Sequence, residues 1–404
     1  MAVLLDTRSM RVLVCASEAP LPPINGFRLA LDALLVRLRT RHDVRVLALR
    51  QPDQTGGLAT GEELRLLPRP IEVWSRTAVR LAGALVRGEP FGAASLAAPL
   101  RVPLAEELER FRPDVVHVTS GRLGALGRRL AGRPSILAAL DAWHLNVEAE
   151  ARVTRGPRRV LLRSESSRVK RFEAREYHRF DRVVVVSEQD RAALEELGAR
   201  LRVEVIPNGV DAERFAPDPS ALRDESRIVF TGVMSYAPNV TAAEYLTRRV
   251  LPRVHEARPD AHLAIVGREP APAVRMLERL DGVEVTGEVP DLRPWLNGSR
   301  AYACPMQTGT GIKNKLLEAM ACALPCVATP LALQGLRVED GVELLVGATE
   351  EEVANHLIRL LADDELARRL GRAARAYVRA KHDWEAVARD YERLYDVVCG
   401  EAAR

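Results

Sequence analysis

Short apolar runs recur along the chain, separated by stretches with helical spacing. Val12–Ala16, Val44–Leu49, Val115–Val118, Ile136–Leu140 and Val183–Val186 are nearly all apolar and rich in β-branched residues. Runs of that kind mark parallel strands covered on both faces. Between the first two lies an amphipathic stretch from Leu29 to Arg39. The pattern restarts after Arg202–Ile206 and the turn cluster Pro207-Asn-Gly-Val-Asp211. Strands are then predicted at Ile228–Thr231, His262–Val266, Val283–Thr286, Tyr302–Pro305, Val327–Thr329 and Leu344–Val346, with a helix over Lys313–Ala323. The end is helical: Glu351–Leu361, Asp364–Lys381 and Trp384–Val398. Strand and helix alternation predicts βαβ units and open parallel sheets. Two such α/β units in succession place a joint near 207–220, and ligands of such sheets bind outside the carboxyl ends of the strands.

Composition narrows the function classes. The 404 residues fit two domains, and 47% hydrophobic with 28% charged residues is a globular profile. The net charge of +4 is small and mixed in sign, so no nucleic-acid partner is expected. Charge is biased only between Ala151 and Arg179, where ten basic residues stand among few acids. That segment reads as solvated helical faces, or alternatively as a peripheral contact with an anionic bilayer or lipid-linked acceptor. Five cysteines, Cys15, Cys304, Cys322, Cys326 and Cys399, are read as inert thiols without a zinc site. No leader sequence and no apolar run of spanning length are read, so a cytoplasmic location is expected, or a peripheral one at the inner face of the membrane.

The chemistry concentrates in Pro305-Met-Gln-Thr-Gly-Thr-Gly-Ile-Lys-Asn-Lys-Leu-Leu-Glu-Ala-Met-Ala321. A strand ends at Pro305, a Gly/Thr loop follows, and a helix begins near Ile312. Gly309 and Gly311 allow backbone to approach a ligand, and the helix start presents free N–H groups to an anion. Lys313 and Lys315 add charge to that turn. Glu318, one turn further in, is placed to accept hydrogen bonds from two adjacent ribose hydroxyls.

This stretch resembles the C-terminal signature of family 4 glycosyltransferases, which carry Glu, seven residues, Glu, then Ala-Met-Ala and a Pro-Val strand. Glu318-Ala-Met-Ala321 and Pro325-Cys-Val-Ala-Thr329 match its second half. Thr310 stands where the first Glu belongs, as in a variant reading Gly-Thr-basic-x-Lys-x-Leu-Glu. Val233 and Asn239, after Phe230-Thr-Gly232, occupy positions where the family places an Arg and a Lys on the diphosphate. Lys313 and Lys315 are expected to replace that charge. Val186-Ser-Glu188 and Val205–Asp211 resemble the interdomain crossover. Ala264-Ile-Val-Gly267 and Val285-Thr-Gly-Glu-Val289 resemble the loops that line the base.

The resemblance implies an α/β GT-B fold: two facing Rossmann-like doubly wound domains, with an interdomain cleft and a C-terminal helix crossing back. The expected domains are 1–208 for the acceptor, 209–383 for the nucleotide-sugar donor, and a returning helix over 384–404. The expected donor-binding residues are Gly26, Gly232, Asn239, Gly267, Glu288, Val289, Gly309, Gly311, Ile312, Lys313, Lys315 and Glu318. His144, Asp141 and Thr310 are the catalytic candidates. Neither a metal nor a cofactor is expected beyond the nucleotide-sugar co-substrate, with a UDP-sugar as the first guess. The acceptor is a glycan, a lipid-linked glycan or a small molecule, and the resemblance implies retention of configuration. Another GT-B nucleotide-sugar enzyme (an epimerase or phosphorylase) and a non-catalytic nucleotide-binding paralogue remain alternatives. A dinucleotide oxidoreductase is disfavoured, because Glu18–Gly26 lacks the Gly-x-Gly-x-x-Gly fingerprint.

Overall fold

The structure, a computed structural model, describes residues 9–21, 26–51, 63–67, 89–90, 93, 96–130, 132–198, 201–309 and 311–402. The chain divides into two compact units: 1–206 with 387–404, and 207–386.

Unit 1 is built on seven parallel strands in the order β3-β2-β1-β4-β5-β6-β7. They are β1 (Arg11–Ala16), β2 (Asp43–Leu49), β3 (Leu64–Leu67), β4 (Val115–Thr119), β5 (Ser135–Leu140), β6 (Arg182–Val185) and β7 (Val203–Val205). The central strands read as unbroken apolar runs because both faces are covered: one face, with Leu13, Leu47, Val116, Leu137 and Val183, joins a buried core, and Val12, Val46, Val115, Ile136 and Val184 on the other face are buried as well. Among the described residues, the α-helices of eight residues or more are α1 (Gly26–Leu38), α2 (Arg101–Arg110), α3 (Trp143–Val153), α4 (Pro157–Glu176) and α5 (Glu188–Glu195). The strand β3 was not expected: Leu64-Arg-Leu-Leu67 is short, sits at the sheet edge and is only half covered.

Unit 2 holds six parallel strands ordered β10-β9-β8-β11-β12-β13. These are β8 (Asp224–Thr231), β9 (His262–Val266), β10 (Val283–Gly287), β11 (Ser299–Cys304), β12 (Cys326–Ala328) and β13 (Leu345–Val346). Its longer helices are α6 (Ala237–Tyr245), α7 (Asn314–Ala321), α8 (Glu350–Ala362) and α9 (Asp364–Lys381). Thr349 and Glu352 form a capping box at the start of α8, and Asp363 caps α9, which explains why these two helices begin where they do. The last helix, α10 (Trp384–Ala402), starts in unit 2, and from Val387 onward belongs to unit 1. Where chain enters and leaves unit 2, Val210 and Asp383 form a parallel bridge.

Each sheet reverses its winding once, between β1 and β4 in unit 1 and between β8 and β11 in unit 2. The crevice outside the carboxyl ends of those strands is where such sheets hold ligands. No helix of the described residues is long and apolar enough to cross a membrane.

Candidate functional site

In unit 2 the reversal point is bounded by glycines. Gly232, Gly267 and Gly287 stand at the ends of three adjacent strands, joined by the bonds Gly232 N–H to Val266 O (3.0 Å) and Gly267 N–H to Gly287 O (3.1 Å). Gly267 has φ +153°, and a Cβ there would lie 1.7 Å from the Gly232 carbonyl oxygen, so no side chain fits. This close packing leaves bare backbone along the strand ends. Across the reversal point, β11 runs into the loop 305–313 and then α7. Gly309 and Gly311 both have positive φ, at +101° and +74°.

Two lysines leave this loop in different directions. Lys313 is buried, and its ammonium folds back on the Gly311 carbonyl (2.6 Å) and the Gly309 carbonyl (3.4 Å). It therefore closes the glycine loop around itself. Lys315 points to the end of β8. Its ammonium donates to Oδ1 of Asn239 and lies 4.9 Å from the Phe230 ring centroid. Burial is the main cause that lowers Lys315 to about 8, with Lys313 adding to it and Cys304 and Glu318 opposing.

Glu318 is half-buried on the same helix. Its carboxylate has no hydrogen bond or ion pair among the described residues. Burial pushes its carboxyl up to about 7, against the pull of Lys315 and Arg214. A carboxylate and an ammonium one turn apart, both desolvated and both next to a glycine-lined strand end, form a polar cradle without an internal partner for the acid. That arrangement suits a ligand carrying both hydroxyls and phosphate.

In unit 1 the reversal point opens a pocket of about 360 Å³ at the ends of β1, β4 and β5. Glu18, Ser120, Arg122, Asp141, Trp143 and Asn146 are among its lining residues. Ser120 (φ 86°) and Leu140 (φ 73°) hold left-handed backbone at the ends of neighbouring strands, a strain that clusters at ligand sites. Arg122 lies over the Trp143 ring at 5.4 Å. Burial raises the Asp141 carboxyl, a hydrogen bond from Asn146 lowers it, and Asp190 pushes it further up.

The family described as "Glycosyltransferase Family 4" matches residues 24–214, and "Glycosyl transferases group 1" matches 225–363. The chain belongs to the group 1, family 4 glycosyltransferases. Its relatives include phosphatidyl-myo-inositol mannosyltransferase of Mycobacterium tuberculosis, 30% identical over 238 residues, covering 53% of this chain and 61% of that one. A GDP-mannose-dependent monoacylated alpha-(1-6)-phosphatidylinositol monomannoside mannosyltransferase of Corynebacterium glutamicum is 29% identical over 235 residues, 50% of this chain and 58% of the other. The chain thus spans about three-fifths of these relatives' length. Sucrose-phosphate synthase from Thermosynechococcus elongatus superposes with a TM-score of 0.69 at 18% identity, over 97% of this chain and all of that one. An Anabaena protein solved with UDP superposes with a TM-score of 0.65 at 15% identity, over 96% and 100%. The fold is therefore the α/β GT-B fold.

Set against the glycosyltransferase signature, the predicted residues fall unevenly. Gly232, Asn239, Gly267, Gly309, Gly311, Lys313, Lys315 and Glu318 gather at the reversal point of unit 2. Ile312 packs on the core of that unit, Glu288 is exposed just past β10, and Val289 is half-buried against the core. Helix α7 starts at Asn314 rather than near Ile312, because Lys313 is held in a non-helical conformation (φ −92°, ψ 89°). The expectation that both lysines face the phosphates is corrected for Lys313, whose ammonium is engaged with loop carbonyls. Thr310 lies outside the described residues.

In unit 1 Gly26 is the first, exposed residue of α1, with open space where a Cβ would stand. Asp141 lines the pocket, but His144 does not. His144 is 3% exposed, and its Nδ1 meets Oε2 of the fully buried Glu173 at 2.6 Å. It is a buried partner of α4, not a group presented to ligand. Arg122, Trp143 and Asn146 went unnoticed in the sequence. The signal available was Ser120-Gly121 directly after an apolar strand, a turn pair at a strand's carboxyl end. The cysteines are all free, and burial pushes the Cys15 and Cys322 thiols up to about 12.

Proposed function

We propose that the chain transfers a hexose-type sugar from a nucleoside-diphosphate sugar to a glycan, lipid-linked or small-molecule acceptor. The observation that carries this reading is the unpartnered, half-buried carboxylate of Glu318 beside the Lys315 ammonium at the reversal point of unit 2. Ionised Glu318 accepts the two ribose hydroxyls. Lys315, with the backbone N–H groups of the glycine loop, faces the diphosphate.

Transfer breaks the bond between the anomeric carbon and the phosphate oxygen, and negative charge grows on the leaving diphosphate. A fixed ammonium and preorganised N–H groups stabilise that charge most in the transition state. On this reading the protein's own cations do that work, no metal is required, and configuration at the anomeric carbon is retained. The pocket of unit 1 takes the acceptor, with Asp141 accepting a hydrogen bond from the attacking hydroxyl. The phosphatidylinositol in the relatives' names favours a lipid-linked acceptor, and GDP-mannose and UDP are the first donor nucleotides to try.

Calorimetric titration of UDP, GDP, ADP and dTDP into the wild type and Glu318→Ala tests the reading. One nucleotide is expected to bind the wild type and to be lost in the variant. Failure of all four to bind the wild type would overturn it. Product analysis with the matching nucleotide sugar separates transfer from epimerisation or phosphorolysis, and activity unchanged by EDTA is expected.

A further inference from the structure

The basic segment seen in the sequence is resolved by the structure into paired and unpaired cations. Helices α3 and α4 pack as a hairpin, and most of its cations are neutralised locally. Arg158 pairs with Glu150 (2.8 Å), Arg168 with Glu165 (3.1 Å) and Lys170 with Glu148 (2.7 Å), while Arg175 and Arg179 share Glu176. Arg159 and Arg163 are the contrast. Both are exposed, and neither guanidinium has a hydrogen-bond or ion-pair partner among the described residues.

These two arginines are four residues apart on α4, so they share one face of the helix. That face borders a groove of about 340 Å³ between the two helices, with Arg152 and Lys170 on its other margins and Ser166 at its floor. Glu148 is the one carboxylate among its described lining residues, and it is already engaged by Lys170, Ser166 and, at 3.9 Å, Arg152. Four cations thus surround one carboxylate. Beside them, in the first turns of α4, Val160 is 69% exposed and Leu161 53% exposed. Paired guanidinium forks match phosphate oxygens, and apolar side chains next to basic ones are the composition of an interfacial membrane contact.

We propose that this hairpin docks the protein on an anionic phospholipid surface, with a lipid phosphate held between Arg159 and Arg163 and with Val160 and Leu161 entering the acyl boundary. Arg152 and Lys170 add attraction to the charged leaflet. The contact is independent of the donor site, which lies in the other unit.

Sedimentation of the full chain with vesicles tests it, using phosphatidylcholine alone and phosphatidylcholine doped with phosphatidylglycerol. Binding is expected only with phosphatidylglycerol and weakens as salt is raised. Arg159→Ala/Arg163→Ala should lower partitioning about thirtyfold, as expected for two basic side chains at an anionic surface. Val160→Ser/Leu161→Ser should also weaken it, at unchanged charge. Arg248→Ala/Arg249→Ala removes the same charge from an exposed pair in the other unit, and should leave it unchanged. Circular dichroism checks that each variant folds. Equal loss in both arginine pairs, or binding to neutral vesicles, overturns the proposal. So does calorimetric binding of inorganic phosphate that the Arg159/Arg163 variant loses while vesicles do not bind, which would mark a site for a soluble phosphate.

Discussion

The Lys315 ammonium donates to Oδ1 of Asn239, and the same amide donates to the Val233 carbonyl at 2.9 Å. This link ties the first turn of α7 to the turn after β8. Val233 and Asn239 hold the positions where the family resemblance implies basic side chains, and a cation reaches that place from another element. Lys315→Met is therefore expected to weaken nucleoside-diphosphate binding by about ten- to a hundredfold, the range for a hydrogen bond to a charged group. Lys313→Met should instead lower the melting temperature and change nucleotide affinity less. Calorimetry with thermal unfolding on both variants checks the split.

Nucleotide affinity should follow a bell in pH. Glu318 must be ionised to accept ribose hydroxyls, and its carboxyl titrates at about 7, so affinity falls as pH drops through 7. Lys315 must be protonated to face the diphosphate, and it titrates at about 8, so affinity falls again above 8. The two groups interact, so the limbs belong to the pair. Each limb should approach about tenfold per pH unit. Glu318→Gln should remove the acid limb and keep the alkaline one.

Gly267→Ala should be severely destabilising, because its Cβ would meet the Gly232 carbonyl oxygen at 1.7 Å. A cost of about 3 kcal/mol is expected for that overlap in packed backbone. Gly26→Ala, with nothing within 4 Å, should leave stability within about 0.5 kcal/mol. If backbone at Gly26 approaches the donor, the same variant lowers turnover. Denaturant unfolding and initial rates together separate the two glycines.

His144→Ala should cost about 3 kcal/mol of stability, since it strands the buried Glu173 carboxylate. His144→Ala combined with Glu173→Leu should recover part of that loss. Equal destabilisation in the single and double variants would show that the pair is not what holds α3 to α4.

Asp141→Asn should lower kcat while leaving nucleotide affinity unchanged, because Asp141 lines the pocket of unit 1 and the proposed nucleotide cradle is in unit 2. A matching loss of nucleotide binding would move Asp141 to the donor site.

Strands and their loops were legible because the signal is local. His262–Val266 and Asp364–Lys381 were placed to the residue, the first by its apolar run, and the structure shows the second starting at an Asp363 cap. That the glycine loop, Lys315 and Glu318 lie together at one strand end was legible for the same reason, since they follow one strand within a single stretch. What stayed hidden depends on residues far apart in the chain. The inward turn of His144 is decided by Glu173, twenty-nine positions later. The bend after β4 needs Gly121, whose Cβ would strike the Tyr177 hydroxyl at 2.0 Å. The late end of the loop before α7 follows from an ammonium folding back on its own carbonyls. No periodicity encodes such choices.

The bridge between Val210 and Asp383 means that unit 2 is inserted into unit 1 as a closed insert with its two ends side by side. Unit 1 still lacks one wall when its first 206 residues have been made. His117 of β4 stacks on Tyr391 at 5.0 Å and bonds the Tyr395 hydroxyl at 2.7 Å, and His42 and Arg41 meet Glu392. All of those partners are translated after the whole of unit 2. On the ribosome, the unit that emerges first cannot complete its packing until the last helix has been made.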